Sequence, residues 1–237
     1  MQKTIRDILI LFVLLFATSC LNNSSNNNNM PPVDETTMID IVTFVGNPAS
    51  NNNNSVFQFQ EKNDSRLTTL LAKNITIDTT TTKVNTRMLL YYTPESGMHN
   101  IDDLITVKNA YSIHNDSIYT GDINKLPDME MNPISVDIIQ RSGTYINIQC
   151  GLTYVVEPLE FKLMVDATTI DNEMPDVYLS YKKDNNKLAT YKGFVASIDI
   201  ANLWNRPSCK GITIHVNDSN FGNNKIEFKK TTLTPMN

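Results

Sequence analysis

The 237-residue sequence contains only three histidines and three cysteines. His99, His114 and His215 are far apart along the chain, and none has the spacing to a second histidine or to a cysteine that zinc sites show. His215 falls on the polar side of a predicted strand, where an exposed histidine is expected. We therefore predict no metal site and no cofactor.

The sequence also lacks the short motifs of common catalytic sites. It has no Gly-x-Ser-x-Gly turn and no glycine-rich loop of the kind that holds phosphates. The carboxylates at Asp102–Asp103 and Asp171–Glu173 lie in polar segments, where solvation is the ordinary state. We therefore predict that the protein is not an enzyme. A hydrolase site assembled from distant residues is the alternative, because such sites leave no local pattern.

A basic excess is absent as well. The chain has 20 basic and 25 acidic residues and a formal net charge of −5. Loss of residues 1–19 would remove Lys3, Arg6 and Asp7, one net positive charge, and change −5 to −6. A protein that binds nucleic acid needs a positive surface, so no nucleic-acid partner is expected.

The first twenty residues form the most specific pattern in the chain. Lys3 and Arg6 precede an apolar run, Ile8 to Phe16, of nine residues, which is shorter than the roughly 20 that span a bilayer. Small residues follow at positions 17–19, and then Cys20. This order predicts a cleaved lipoprotein signal over 1–19 and acylation of Cys20, hence a membrane anchor. A secretory signal with an incidental cysteine is the alternative. Residues 20–36 are asparagine-rich and predict a disordered tether.

From residue 37 onward the hydrophobic period is two, and the chain is predicted to be all-β. Helical turns are expected only at Ile101–Ile105 and at Ile200–Trp204, the second capped by Asp199. Ser142–Gly143 and Asp184–Asn186 are predicted to close hairpins. The predicted strands are 39–45, 55–60, 70–78, 86–93, 113–118, 135–140, 144–155, 159–166, 177–182, 188–195, 211–217 and 225–230.

Prolines and acidic residues cluster without periodicity over Lys125–Pro133, which predicts a domain boundary. We therefore expect one small β domain over 37–128 and a second over 129–232. Cys150 and Cys209 both fall in the second domain. A disulfide and two separate thiols are both compatible with the sequence, because spacing alone does not fix geometry.

Several segments, in order, resemble the NigD-like lipoproteins of Bacteroidetes. They are Arg87–Thr93, Ile105–Lys108, Tyr145–Leu152, Gly193–Asp199 and Gly211–Asn217. The resemblance implies a small OB-like barrel followed by an antiparallel β-sandwich. It also implies an outer-membrane lipoprotein facing the periplasm or the cell surface, and an association with bacteriocin systems. It supplies no catalytic residues.

Two triplets resemble the acceptor sequence for O-glycosylation in Bacteroidetes. They are Asp78-Thr79-Thr80 and Asp116-Ser117-Ile118, with Thr79 and Ser117 as the modified residues.

Together these features predict a lipid-anchored module of the cell envelope that binds a protein or a glycan through loops or a sheet edge. A bacteriocin accessory or immunity factor and a secreted hydrolase are the alternatives.

Overall fold

The structure, a computed structural model, describes residues 37–63, 65–95, 103–122, 131–220, 222 and 224–230. The predicted signal, Cys20 and the tether therefore lie outside the described residues, as does His99. The described chain divides into two compact units: one contains the residues up to Glu61 and Ser65–Ile113, and the other contains Lys62–Asn63 and the residues from His114 on. Each is described separately below.

The first unit is a closed five-stranded barrel. Its strands follow the order β1-β2-β3-β5-β4, and β4 pairs back onto β1. The strands are β1 (Met38–Gly46), β2 (Val56–Phe59), β3 (Thr68–Ala72), β4 (Arg87–Pro94) and β5 (Asp103–Ser112). Alternate side chains fill the barrel, with Phe44, Phe57, Leu70, Leu90 and Ile105 inaccessible to solvent.

The asparagine run at 51–54 forms the connection from β1 to β2. Asn52 and Asn53 have φ angles of 51° and 60°, in the left-handed region that asparagine tolerates better than most residues. The Asn51 side chain donates a hydrogen bond of 2.9 Å to the carbonyl oxygen of Ala72 at the end of β3. The polar run is thus tied to the barrel.

The second unit is a sandwich of two sheets. A five-stranded sheet has the order β14-β13-β11-β10-β7, and a four-stranded sheet has the order β6-β12-β9-β8. The elements are β6 (His114–Ser117), β7 (Tyr119–Gly121), β8 (Ser135–Ser142), β9 (Tyr145–Tyr154), β10 (Glu160–Asp166), β11 (Asp176–Lys182), β12 (Thr190–Asp199), α1 (Ala201–Trp204), β13 (Gly211–His215) and β14 (Lys225–Lys229).

The core of the second unit lies between its two sheets. Ile146, Ile148 and Leu152 of β9 pack into one cluster with Leu163 of β10 and Leu179 of β11. The predicted all-β class, a barrel followed by a sandwich, is confirmed. The sheets of the sandwich contain both antiparallel and parallel strand pairs. Three pairs are parallel: β6 with β12, β7 with β10, and β11 with β13.

Several local predictions differ from the structure, and the strand predicted over 70–78 ends at Ala72. Asp103–Ile105 belongs to β5, where burial alternates along the strand, and is not helical; residues 101 and 102 are outside the described chain. Asp184–Asn186 does not close a hairpin, because β11 and β12 belong to different sheets. The second unit begins at His114, well before the predicted boundary at 128/129, because β6 and β7 pair with β12 and β10.

The helix α1 begins close to the predicted cap. Ile200 occupies the N-cap position, and the Asp199 side chain accepts a 2.8 Å hydrogen bond from the backbone N–H of Ala201. Among the described residues, no helix combines the length and the apolar composition that crossing a membrane requires.

Candidate binding surface

Two loops meet at one end of the sandwich. The β9–β10 loop covers 155–159, and the β11–β12 connection covers 183–189. Tyr154 pairs with Thr190, and Glu160 pairs with Lys182, so both loops leave the sheets at the same end. Their side chains therefore form one surface of the second unit.

Three aliphatic side chains on these loops point into solvent. Val156 is 81% exposed, Leu188 74% and Leu159 60%, whereas the next aliphatic residue of the described chain, Val84, is 50% exposed. We call Val156, Leu159 and Leu188 the apolar tip. Single exposed aliphatic residues are ordinary, but grouped ones on neighbouring loops are typical of interaction sites.

The loop that carries Leu188 is ordered by its own side chains. Asp184 accepts a 2.9 Å hydrogen bond from the N–H of Asn186, and the Asn186 side chain accepts another of 2.9 Å from the N–H of Leu188. Such local bonds are the reason that asparagine and aspartate favour turns. The backbone that carries the exposed leucine is thus held by hydrogen bonds within the loop.

Charged side chains border the apolar tip. The Lys192 ammonium donates a 2.5 Å hydrogen bond to the carbonyl oxygen of Val155 and lies 4.9 Å from the ring centre of Tyr154. Burial acts to raise the pKa of Glu160, but hydrogen bonds from Ser180 and Lys162 outweigh it and hold that pKa below its usual value. Glu160 is therefore ionised at neutral pH, next to the Lys162 ammonium group.

Tyr191 stands beside the tip at the start of β12, with 66% of its surface exposed. It is paired with Thr153 of β9 and covers Gly151 on the outer face of the four-stranded sheet. An exposed aromatic ring thus lies next to the aliphatic loops, on the outer face of the four-stranded sheet.

Both predicted glycosylation residues are exposed. Thr79 lies in a turn, where Asp78 accepts hydrogen bonds from the N–H and the hydroxyl of Thr80. Ser117 ends β6 at the edge of the four-stranded sheet, and its N–H donates to Asp116 at 2.8 Å. Both side chains are accessible, and their modification stays a prediction.

The two described cysteines are separate, buried thiols. Cys150 lies in the sandwich core, and Cys209 donates a 3.2 Å hydrogen bond to the carbonyl oxygen of Gly211. Of the two alternatives that the sequence leaves open, the structure has the free thiols. Burial raises the pKa of the Cys150 thiol, and the nearby Asp137 carboxylate raises it further. Neither thiol has the exposure that a reactive cysteine needs.

His215 is half-buried and not simply exposed. Its Nε2 lies 2.6 Å from Asp176 Oδ1, and its ring stacks on Tyr178 with centres 4.6 Å apart and planes inclined by 13°. His114 is likewise engaged, with Nε2 3.1 Å from the Phe161 carbonyl oxygen. The structure places these two histidines in packing and hydrogen bonding within the sandwich.

The acidic segment 171–173 is used in ion pairs. Asp171 pairs with Arg206, and Glu173 pairs with Lys210. Within the described ranges, no group of three or more histidine, cysteine, aspartate or glutamate side chains has the arrangement of a metal site.

The apolar tip was missed by sequence reasoning. Leu159 and Leu188 were each predicted to begin a strand, and Val156 directly follows the predicted strand 144–155. The sequence nevertheless indicates that these residues lie in loops. Glu157 and Pro158 interrupt the strand pattern after Val156, and Asp184, Asn185 and Asn186 precede Leu188. An aliphatic residue inside such a polar turn has no core to enter.

Comparisons with known proteins give likeness of structure and not of sequence. No family model matches the chain, and no curated protein matches it significantly. A protein of unknown function from Bacteroides vulgatus is similar in structure, with a TM-score of 0.65 and 15% identity over 84% of this chain and 92% of that one.

Two further solved structures are similar over comparable lengths. A candidate lipoprotein from Bacteroides fragilis has a TM-score of 0.54 and 15% identity, over 82% of this chain and 96% of that one. A NigD-like immunity protein from Bacteroides caccae has a TM-score of 0.52 and 12% identity, over 83% of this chain and 94% of that one. The predicted resemblance is thereby confirmed at the level of the fold.

Proposed function

We propose that this protein is a lipid-anchored lipoprotein of the cell envelope that works as a non-catalytic binding module, with the apolar tip as its docking surface for a protein partner. The exposure of Val156, Leu159 and Leu188 on adjoining loops is the observation that carries the proposal. Burying three such side chains would stabilise a complex, at roughly 25 cal/mol per Å² of apolar surface removed from water. The structural likeness to a candidate lipoprotein supports the envelope location.

Photo-crosslinking in cells tests the docking surface. A benzoylphenylalanine residue at position 159 is expected to form a discrete adduct with a partner protein. The added substitution Leu188→Asp is expected to abolish that adduct, because a carboxylate would have to be desolvated in the contact.

The matched control is Val84→Asp, which changes an exposed aliphatic residue of the barrel unit. It should leave the adduct at position 159 unchanged. The proposal fails if no adduct forms, or if Leu188→Asp leaves the adduct as strong as the control does.

A second candidate is an accessory or immunity factor of a bacteriocin system. The likeness to a NigD-like immunity protein favours it. In that case, deletion of the gene would make the producing strain sensitive to its own toxin, and the crosslinked partner would be that toxin or its exporter. If the deletion strain is no more sensitive to the toxin than the parent strain, the immunity role is rejected and the general binding module is the remaining proposal.

Catalytic inactivity stays a prediction. A secreted hydrolase is the competing proposal, and purified full-length protein incubated with polysaccharides, peptides and esters would reveal it through product release. A release rate above that of buffer alone, lost in His215→Ala, would replace the binding proposal with the hydrolase.

A further inference from the structure

Two glycines face each other on the four-stranded sheet. Gly151 of β9 and Gly193 of β12 are directly paired in register. Their side of the sheet is the outer one, because the neighbours Cys150 and Leu152 point into the core and successive residues alternate between faces. Glycine inside a strand costs stability and often marks a place where another group approaches the backbone closely.

At Gly151, the approaching group is the ring of Tyr191. A β-carbon built on Gly151 would overlap the Tyr191 hydroxyl and the adjoining ring atoms. Gly151 itself is buried, although its side of the sheet is the outer one. The ring therefore lies across the backbone of β9, with one face on the strand. Since Tyr191 is 66% exposed, its other face is open to solvent.

At Gly193, by contrast, the space is open. A β-carbon there would meet no atom of the described chain within 4 Å, and the residue is exposed. Bare backbone therefore lies next to the Tyr191 ring. The two glycines therefore have different roles. Gly151 accommodates the Tyr191 ring, and Gly193 leaves open space beside that ring.

The border of this space is polar but uncharged. Thr153 stands opposite Tyr191, and Gln149 stands opposite Val195, on the same outer face as the glycines. Both are half-buried and carry hydrogen-bond donors and acceptors. No lysine, arginine or carboxylate occupies the outer-face positions of β9 and β12 from Gln149 to Thr153 and from Tyr191 to Val195.

We infer that the outer face of the four-stranded sheet at Tyr191 and Gly193 binds a neutral saccharide. A sugar ring presents a flat face of C–H groups that stacks on an aromatic ring, and its rim of hydroxyl groups needs neutral hydrogen-bonding partners such as Gln149 and Thr153. A phosphate-bearing ligand would find no positive side chain on this part of the face. The inference is independent of the apolar tip, which does not include Tyr191.

Calorimetric titration of the full chain in detergent with maltohexaose, cellohexaose, xylohexaose and mannohexaose tests the inference. At least one of them is expected to bind, and Tyr191→Ala is expected to weaken its binding about tenfold, the effect of losing one aromatic contact. Tyr191→Phe should bind nearly as well as the wild type, because stacking needs the ring and not the hydroxyl. Circular dichroism should show both variants folded.

Tyr119→Ala is the matched control, because Tyr119 is 47% exposed and belongs to the other sheet. The inference is overturned if none of the four oligosaccharides binds, or if Tyr191→Ala binds as Tyr119→Ala does. A Leu188→Asp variant that retains saccharide binding but loses the protein adduct would show that the two surfaces are separate.

Discussion

Asp137 is a carboxylate in an unfavourable position. It lies in β8 where the register with β9 shifts, and it is half-buried. Burial raises the pKa of Asp137, and the nearby Asp218 carboxylate raises it further. Asp218 itself is buried and accepts hydrogen bonds from the N–H groups of Val136 and Asn220, at 3.2 and 2.8 Å. Asp218 is therefore held where it repels a charge at position 137.

Asp137→Asn is expected to stabilise the second unit at neutral pH. A carboxyl group whose pKa is raised by folding destabilises the folded state above that raised pKa, and the penalty disappears below the unfolded pKa near 3.8. Because Asp137 keeps some solvent contact, the gain at pH 7 should be about 0.5 kcal/mol. Urea unfolding at pH 7 and pH 3 measures it. Glu61→Gln, at an exposed position, is the control; an equal gain at both pH values would contradict the explanation.

The two buried thiols predict a clear pattern of chemical modification. In the folded protein, Cys150 and Cys209 should not react with a thiol reagent, since both are buried and burial raises the pKa of Cys150. After denaturation without a reductant, both should react completely. Mass spectrometry counts the labels. Labelling that requires a reductant would indicate a disulfide and would contradict the structure.

For His215, the face of its strand could be predicted from the sequence, but its contacts could not. The sequence places His215 on the polar side of its strand, because period-two alternation assigns faces. Its contacts with Asp176 and Tyr178 were not predictable, because they depend on the parallel pairing of β11 with β13. Pairing between distant strands is a property of the whole sheet, and one-residue shifts would exchange the faces.

Among the elements, β9 and β12 contain a pair of glycines whose substitutions by alanine should affect stability differently. Gly193→Ala should raise the free energy of unfolding by about 0.5–1 kcal/mol, because alanine loses less backbone entropy and meets no neighbour at that position. Gly151→Ala should give no such gain, because its methyl group must displace the Tyr191 ring.

A double-mutant cycle provides the control for this pair. In a Tyr191→Ala background, Gly151→Ala should become as favourable as Gly193→Ala, since the ring is gone. Thermal or urea unfolding gives all the values. If Gly151→Ala stabilises equally with and without the tyrosine, then the ring does not lie on that strand.

The strand β5 shows why local pattern misleads. Ile101, Leu104 and Ile105 have helical spacing and follow polar residues, which predicts a helical turn. In the barrel, however, Asp103 and Ile105 are buried whereas Leu104 is 44% exposed. The strand forms because the barrel can close only if a segment pairs with both β3 and β4. Tertiary pairing here overrides a weak local preference.

At the scale of the whole molecule, periodicity and resemblance contributed different things. Alternation along the chain predicts two β domains but cannot tell a barrel from an open sheet. The barrel and the sandwich were implied by the family resemblance, and the structure confirms them. The site was harder to predict, because the apolar tip joins two loops that only the pairing of β9 with β12 and of β10 with β11 brings together.

The attachment of the whole molecule to the membrane depends on Cys20, which lies outside the described residues. Acyl chains on this thiol and on the amine freed by cleavage would bury enough methylene groups, at about 0.8 kcal/mol each, to hold the protein on a bilayer without a basic surface. Cys20→Ala should abolish incorporation of labelled palmitate and release the protein from washed membranes. Cys209→Ala is the matched control, because that thiol is buried and should acquire no lipid. Palmitate labelling that persists in Cys20→Ala, or a mature protein whose first residue is not Cys20, would refute the anchor and leave the two β units to act in solution.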